Sequence, residues 1–284
     1  MEILVGDDCS DDGTSEIIND FCSAHPSLIT HLRHPIRLGG PDNMRALLEL
    51  AQGEYVARVD GDDYWLAGKL QRQIDFLDEN LDCAAVYTNA LTIDEEGNPM
   101  GLFNDVGDAR FDLAAMLRRG NFLNNSSVLF RAQGKQAWLS IDQPQIDYRV
   151  HLWHARNGFL AQLAEPLSVY RVNSVGSMVA QANDWVRTMY WEAILSVPRD
   201  RVTDDDFARG VTDFLRRVVF HAIRTRRWGL LREWAPCVFR VSPYGVIRTS
   251  ILVAGSVIRI AGKELIGYFR KGPDGHRIKV SYRR

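Results

Sequence analysis

The sequence predicts an α/β layer fold with a mostly parallel sheet flanked by helices, and three observations carry that expectation. Short β-rich runs alternate with amphipathic helical stretches through residues 2–91, the pattern of strand–helix–strand units. One of these runs, residues 55–59, stops abruptly in Asp60, Asp62 and Asp63 around Gly61, and the C-terminal end of a strand is where open α/β sheets bind ligands. The chain of 284 residues is 46% hydrophobic and 25% charged, which suits one large globular domain, or one domain with an appendage, and not a disordered chain.

The elements follow in order. Residues 2–6 read as a strand, 7–14 as an Asp/Ser/Gly-rich turn and 15–22 as an amphipathic helix. Asp8, Ser10, Asp12 and Gly13 have the spacing of a calcium loop, but the twelfth place is Asn19 where such a loop needs Glu, and no helix precedes it. A calcium loop is therefore excluded. A strand over 29–34, a turn at Gly39-Gly40-Pro41 and a helix over 43–51 come next. The strand 55–59 leads through its acidic turn to a helix over 69–77, a strand over 84–91 and a turn at Glu96-Gly97-Asn98. Further on, 184–197 and 204–227 have helical patterns. Residues 246–271 form a last helix with Arg248, Arg259, Lys263 and Arg270 in one sector and apolar residues such as Ile251 and Ile258 over much of the rest. Such a helix either lies on an anionic membrane surface or packs on the domain with one solvated basic face.

Charge is unevenly distributed. Residues 1–200 carry 16 Lys+Arg and 29 Asp+Glu, a net of −13, whereas 201–284 carry 18 and 7, a net of +11. An acidic body with a basic tail suggests peripheral contact with a membrane and gives no reason to expect a nucleic-acid partner. Cys9, Cys22, Cys83 and Cys237 have no metal-binding spacing, which suits a reducing compartment. No signal peptide is visible at Met1 and no apolar run reaches transmembrane length. A cytoplasmic location, peripheral at the inner face of the plasma membrane, is the expectation.

Three carboxylates crowded at 60–63 repel one another unless a cation lies between them. Few hard oxygen ligands suit a divalent ion shared with phosphates, Mn2+ or Mg2+. The alternative is a solvated acidic turn, since Asp and Gly are ordinary turn residues.

With these residues in view, the chain resembles the family 2 glycosyltransferases of GT-A fold. Residues 2–14, Glu2-Ile3-Leu4-Val5-Gly6-Asp7-Asp8-Cys9-Ser10-Asp11-Asp12-Gly13-Thr14, are similar to the family's "EIIVVDDGSTDGT". Asn43 with Ala51-Gln52-Gly53-Glu54-Tyr55 resembles its "N…A.GEY", and Asp60-Gly61-Asp62-Asp63 its metal-binding "DXD" element. Asn124-Asn125-Ser126-Ser127-Val128-Leu129-Phe130-Arg131 resembles "SSVLFR", Ile146-Asp147-Tyr148 with Leu152-Trp153 resembles "EDYxLWLRL", and Glu165-Pro166-Leu167-Ser168-Val169-Tyr170-Arg171-Val172 resembles "EPLAVYRVH". The matches are collinear over about residues 2–178.

The resemblance implies a GT-A nucleotide-sugar-binding domain over 1–180 and a helical basic region over 181–284. It implies transfer of a sugar, with inversion, from a donor such as a UDP-sugar to a hydroxyl of a glycan or lipid-linked acceptor in cell-envelope or polysaccharide synthesis. Asp8, Asn43 and Asp60 would hold the nucleotide, Asp62 would be the metal ligand with Asp63 behind it, and Asp147 would be the general base. Standing alone, Asp8 and Asp147 also read as helix-capping or turn carboxylates. His151 and His154 read as packing residues, and Trp65 and Trp153 as sugar-lining or, more commonly, buried structural aromatics. Two departures from the family stand out: the strand and helix that usually precede residue 2 are not in the sequence, and Asn173 stands where the family has His. Two rival functions remain at this stage, a degenerate sugar-nucleotide or glycan-binding protein and a nucleotidyltransferase. The second lacks the Gly-rich, basic phosphate loop it would need.

Overall fold

The computed structural model describes residues 1–141, 146–172, 184–269 and 279–282, with side chains described to residue 262. In chain order the elements are β1 (Ile3–Asp7), α1 (Thr14–Ala24), β2 (Ile29–Arg33), α2 (Gly40–Leu50), β3 (Tyr55–Ala57), β4 (Tyr64–Trp65) and α3 (Lys69–Glu79). Then come β5 (Cys83–Ile93), β6 (Pro99–Asn104), β7 (Ala109–Phe111), α4 (Leu113–Arg119), a 3-10 turn Asn125–Ser127, β8 (Leu129–Arg131), α5 (Gln136–Leu139), α6 (Asp147–Asn157) and β9 (Phe159–Arg171). The chain continues through α7 (Asp184–Leu195), α8 (Asp204–Thr225), α9 (Gly229–Val241), α10 (Val246–Phe269) and β10 (Lys279–Tyr282).

This is a mixed sheet flanked by helices. β1 and β2 pair in parallel with each other, while the larger sheet runs β10-β6-β5-β8-β3 with β9 alongside β5. The long β5–β9 ladder is parallel, but β3–β8, β5–β8, β5–β6, β4–β9 and β7–β9 are antiparallel. Antiparallel pairs therefore outnumber parallel ones, because hairpins and returns around β5 replace helix crossovers in the second half of the sheet.

Residue alternation along β5 divides the core. Ala85 and Tyr87 point into the larger cluster, which α4, α6, α7, α8 and α9 cover, whereas Val86 points into the smaller one beneath α3 with Leu77 and Leu129. Tyr148 of α6 stacks on Tyr190 of α7 (4.6 Å), and Phe214 of α8 packs on Trp234 of α9 (5.1 Å). The C-terminal helices thus share the core of the α/β body. α8 starts on a capping box in which Thr203 and Asp206 bond reciprocally.

α4 ends at Gly120, whose φ of 71° and ψ of −163° lie in a region that only glycine enters readily. A Cβ there would overlap the Tyr190 hydroxyl and come within 2.7 Å of Arg217 and 3.0 Å of Asp213. Gly120→Ala is expected to lower stability by about 2–3 kcal/mol in urea titration. A loss below about 0.5 kcal/mol would show that this junction relaxes freely.

Candidate active site

Two groups of side chains form the site. The first gathers where β1 ends. The buried Asp7 carboxylate accepts hydrogen bonds from the Ser15 hydroxyl and the Ser10 N–H (2.8 Å). These bonds, with Arg33 nearby, hold its carboxyl well below the usual range against the cost of burial. They fold the Asp/Ser/Gly-rich turn back onto the strand. Asp8 accepts from Leu38 N–H (2.6 Å) and Gly39 N–H (2.8 Å), pinning the segment that enters α2. Asn43 of α2 donates to the Gly6 carbonyl (3.1 Å), and its amide oxygen lies 3.1 Å from His34. A Cβ on Gly6 would overlap the Asn43 side chain, so glycine is what admits this approach. Asp8 and Asn43 therefore sit together and tie β1, β2 and α2.

The second group is built on Arg58, just beyond β3. Its guanidinium donates to Asp60 Oδ1 (2.8 Å) and to Asp147 Oδ1 (3.4 Å) and lies 5.1 Å from the Trp138 ring centroid. Asp147 is the first residue of α6, where the helix dipole favours a negative charge. Its Oδ1 also accepts from the Asn125 amide at 2.7 Å. Ser126 donates to Asp60 Oδ2 (3.2 Å), accepts from the Asp60 N–H (3.2 Å), and through its carbonyl accepts from Trp65 Nε1 (2.7 Å). Thus Asp60 and Asp147 converge. Among the described residues no hydrogen bond or ion pair joins them to Asp8 or Asn43.

The acidic turn closes with the Asp63 N–H on the Asp60 carbonyl (3.0 Å). Arg171, at the end of β9, donates its N–H to Asp63 Oδ1 (2.8 Å) and its guanidinium to the carbonyls of Asp62 (3.3 Å), Asp94 (3.0 Å) and Glu95 (2.8 Å). Asp62 is exposed. Asp63 is half-buried and its Oδ2 has no partner. Burial, joined by the Asp62 and Asp60 charges and opposed by the nearby Ser126 hydroxyl and the Arg171 N–H, pushes Asp63 up to about 6.

These residues fit the divalent ion the family resemblance implies. The donors are hard carboxylate oxygens, and one of them is buried without a partner. Among the described residues no group of three His, Cys, Asp or Glu side chains forms a ready ligand set. The arrangement suits an ion that takes most of its shell from a diphosphate and water, with Asp62 and Asp63 as the carboxylates that would hold it.

The packing residues behave as expected. His151 and His154 are fully buried against Tyr87 and Phe130, and burial pushes both down to about 3, so their rings are neutral. Trp65 is engaged through its indole N–H and carries Lys69 over its ring at 4.2 Å, and Trp153 packs against the core. Asn173 lies outside the described residues.

Sequence reasoning missed Arg58, Asn125, Ser126 and Arg171. Arg58 had a legible signal: a charged residue inside a strand run, two before Asp60, shares that carboxylate's face at the strand's period of two. Asn125 and Ser126 lie in the segment resembling "SSVLFR", which marks the segment without giving either residue a role, and a 3-10 turn presents them to the site.

Comparison with known proteins places this geometry. Residues 1–129 match the model of glycosyl transferase family 2, and this part of the chain belongs to that family. The uncharacterized protein Rv1520 of Mycobacterium tuberculosis is 30% identical over 194 residues, covering 68% of this chain and 55% of its own length. The Escherichia coli protein WfaP, a UDP-Glc:alpha-D-GlcNAc-diphosphoundecaprenol beta-1,3-glucosyltransferase, is 28% identical over 63% of this chain and 68% of its own. The chain thus spans little more than half the length of the mycobacterial relatives. Among solved structures, residues 1–349 of S. aureus TarS superpose with a TM-score of 0.61 at 18% identity, covering 89% of this chain and 74% of that one. The likeness shows a shared GT-A fold.

Asp63→Asn keeps an acceptor for Arg171 and removes the buried charge. It is expected to raise the melting temperature of the metal-free protein at neutral pH by about 2–5 °C and to weaken Mn2+ binding at least about tenfold. Calorimetry of both forms checks this, and unchanged Mn2+ affinity would remove Asp63 from the ion's surroundings.

Proposed function

We propose that this chain is an inverting, nucleotide-sugar-dependent glycosyltransferase acting on a hydroxyl of a lipid-linked or glycan acceptor in cell-envelope polysaccharide synthesis. The observation that supports the reading is the Arg58 bridge, which joins Asp60 and Asp147, read here as the donor-side carboxylate and the base, through one guanidinium. In this reading residues 1–180 form the transferase domain and 181–284 its helical basic region.

Asp8 and Asn43 bind the nucleotide at the end of β1, where Asp8 already organises the loop into α2. Asp60 takes the ribose side, and Asp62, backed by Asp63, holds the divalent ion. That ion supplies Lewis-acid neutralisation of the diphosphate leaving group. Among the described residues Asp147 makes its bonds through Oδ1, and its side chain is 41% exposed, which leaves the carboxylate open to an acceptor hydroxyl. It removes the hydroxyl proton as that oxygen attacks the anomeric carbon. Attack from the side opposite the leaving diphosphate inverts the configuration. Arg58 and Asn125 are positioning residues that fix Asp147. The glucosyltransferase name of WfaP supports a UDP-linked donor and a polyprenyl-diphosphate-linked acceptor for this chain as well.

The test is turnover. UDP release from a panel of UDP-sugars, measured with a polyprenyl-diphosphate-linked sugar as acceptor, should fall about 100- to 10,000-fold in Asp147→Asn while UDP affinity stays within about twofold. Full activity in Asp147→Asn would remove it as the base. Tight UDP binding with no turnover in the wild type would favour a sugar-nucleotide-binding protein.

A further inference from the structure

The last long helix has two apolar sides, and only one of them is covered. α10 leaves α9 at an angle of 119° and packs on α8 and the core through Thr249, Val253 and Val257. On the opposite side Ile247, Ile251 and Ile258 are 80%, 65% and 70% exposed, with the exposed Ala254 between them. Their spacing of four, three and four residues puts all four within about 60° on a helix of 3.6 residues per turn. Single exposed apolar residues are ordinary, but a continuous row of isoleucines is not.

The row runs into an open apolar groove of about 340 Å³ between α8, α9 and α10, lined by Leu215, Val219, Phe239, Val253, Ala254 and Ile258. The sequence through α9 and most of α10 is strongly basic. Residues 226–262 contain Arg226, Arg227, Arg232, Arg240, Arg248 and Arg259 against the single acid Glu233. Arg248 and Arg259, eleven residues apart, flank the isoleucine row on the same side, about 100° round the helix. Arg248 lies 3.5 Å from the Tyr244 ring centroid, and Trp228 is exposed where α8 meets α9, next to Arg226 and Arg227. The exposed side of α10 therefore carries an apolar row beside the exposed Arg248 and Arg259 of its basic sector. Lys263 and Arg270 lie outside the described side chains.

We propose that this face docks on an anionic lipid bilayer, with α10 lying in the interface plane and its isoleucine row and adjoining groove turned to the acyl region. The charge selects the occupant, since Arg248 and Arg259 beside an apolar row complement lipid phosphates, and residues 226–262 hold six arginines against one acid. Among the described residues no single helix is long and apolar enough to cross a membrane, and the α9–α10 pair that passes by composition is sharply bent. This docking does not depend on the transferase reading, though it would bring the enzyme to a membrane-anchored acceptor.

Flotation of the full chain with vesicles tests it. Vesicles of phosphatidylcholine with about a third phosphatidylglycerol should carry the protein up the gradient, and pure phosphatidylcholine should carry at least about tenfold less. The Ile251→Glu/Ile258→Glu double variant, altered only at exposed positions, should lose at least about tenfold in partition with its melting temperature and UDP binding unchanged. Arg248→Gln/Arg259→Gln should weaken binding and flatten its salt dependence. Equal flotation of the isoleucine variant, or no flotation of the wild type with anionic vesicles, overturns the proposal. So does a wild-type dimer in light scattering that the isoleucine variant dissociates while neither form floats, which would assign the row to a second copy.

Discussion

One partly buried cation between two carboxylates, Asp60 and Asp147, sets the geometry on which the proposed chemistry depends. Arg58 stands at the end of β3, and the residues it joins come from the next turn of the same chain segment and from the start of α6. Without it, Asp60 and Asp147 would face each other as like charges. With it, the first turn of α6 is registered against the strand end. Asn125 and Ser126, presented by the 3-10 turn before β8, complete the frame from the other side. Breaking such a half-buried pair is costly, while the intact pair adds little net stability. Its consequence is geometric, because a proton acceptor has to be held within hydrogen-bond reach of the reacting hydroxyl.

The acidic turn shows the opposite tendency. Asp63 is buried enough to be pushed up toward neutral pH, and one of its oxygens has no partner. A fold selected for stability alone would not keep that charge. Arg171 holds the turn in place by binding three carbonyls and Asp63 at once, so the crowded acids cannot spread apart to relieve their repulsion. Destabilised charge at a rigid turn is what a cation or a protonated partner relieves.

Much of this was legible in the sequence. The strand that stops in Asp60-Gly61-Asp62-Asp63, the helix after it and the helix opening at Asp147 all carry local signals of period, turn chemistry and capping, and they form close to where those signals place them. The predominance of antiparallel pairs in the sheet was not legible. It follows from long-range returns of β6, β8 and β9 onto β5, and strand direction leaves no mark in local periodicity. The helix α9 escaped because Pro236 sits inside it, where a proline ordinarily argues against a helix. Asp8 illustrates a different limit: the family resemblance implies a nucleotide-binding role for it, but only the fold shows that it holds the backbone of Leu38 and Gly39. The two faces of α10 could not be ranked from sequence, since which apolar side packs depends on α8.

The most direct measurement of the central claim is calorimetric titration of UDP into the full chain, with and without Mn2+, for the wild type and for Asp62→Asn. A nucleotide-diphosphate site at the acidic turn predicts binding that Mn2+ strengthens at least about tenfold and that loses this dependence in Asp62→Asn. UDP binding that is indifferent to both the ion and the substitution, or no binding under any condition, would contradict it.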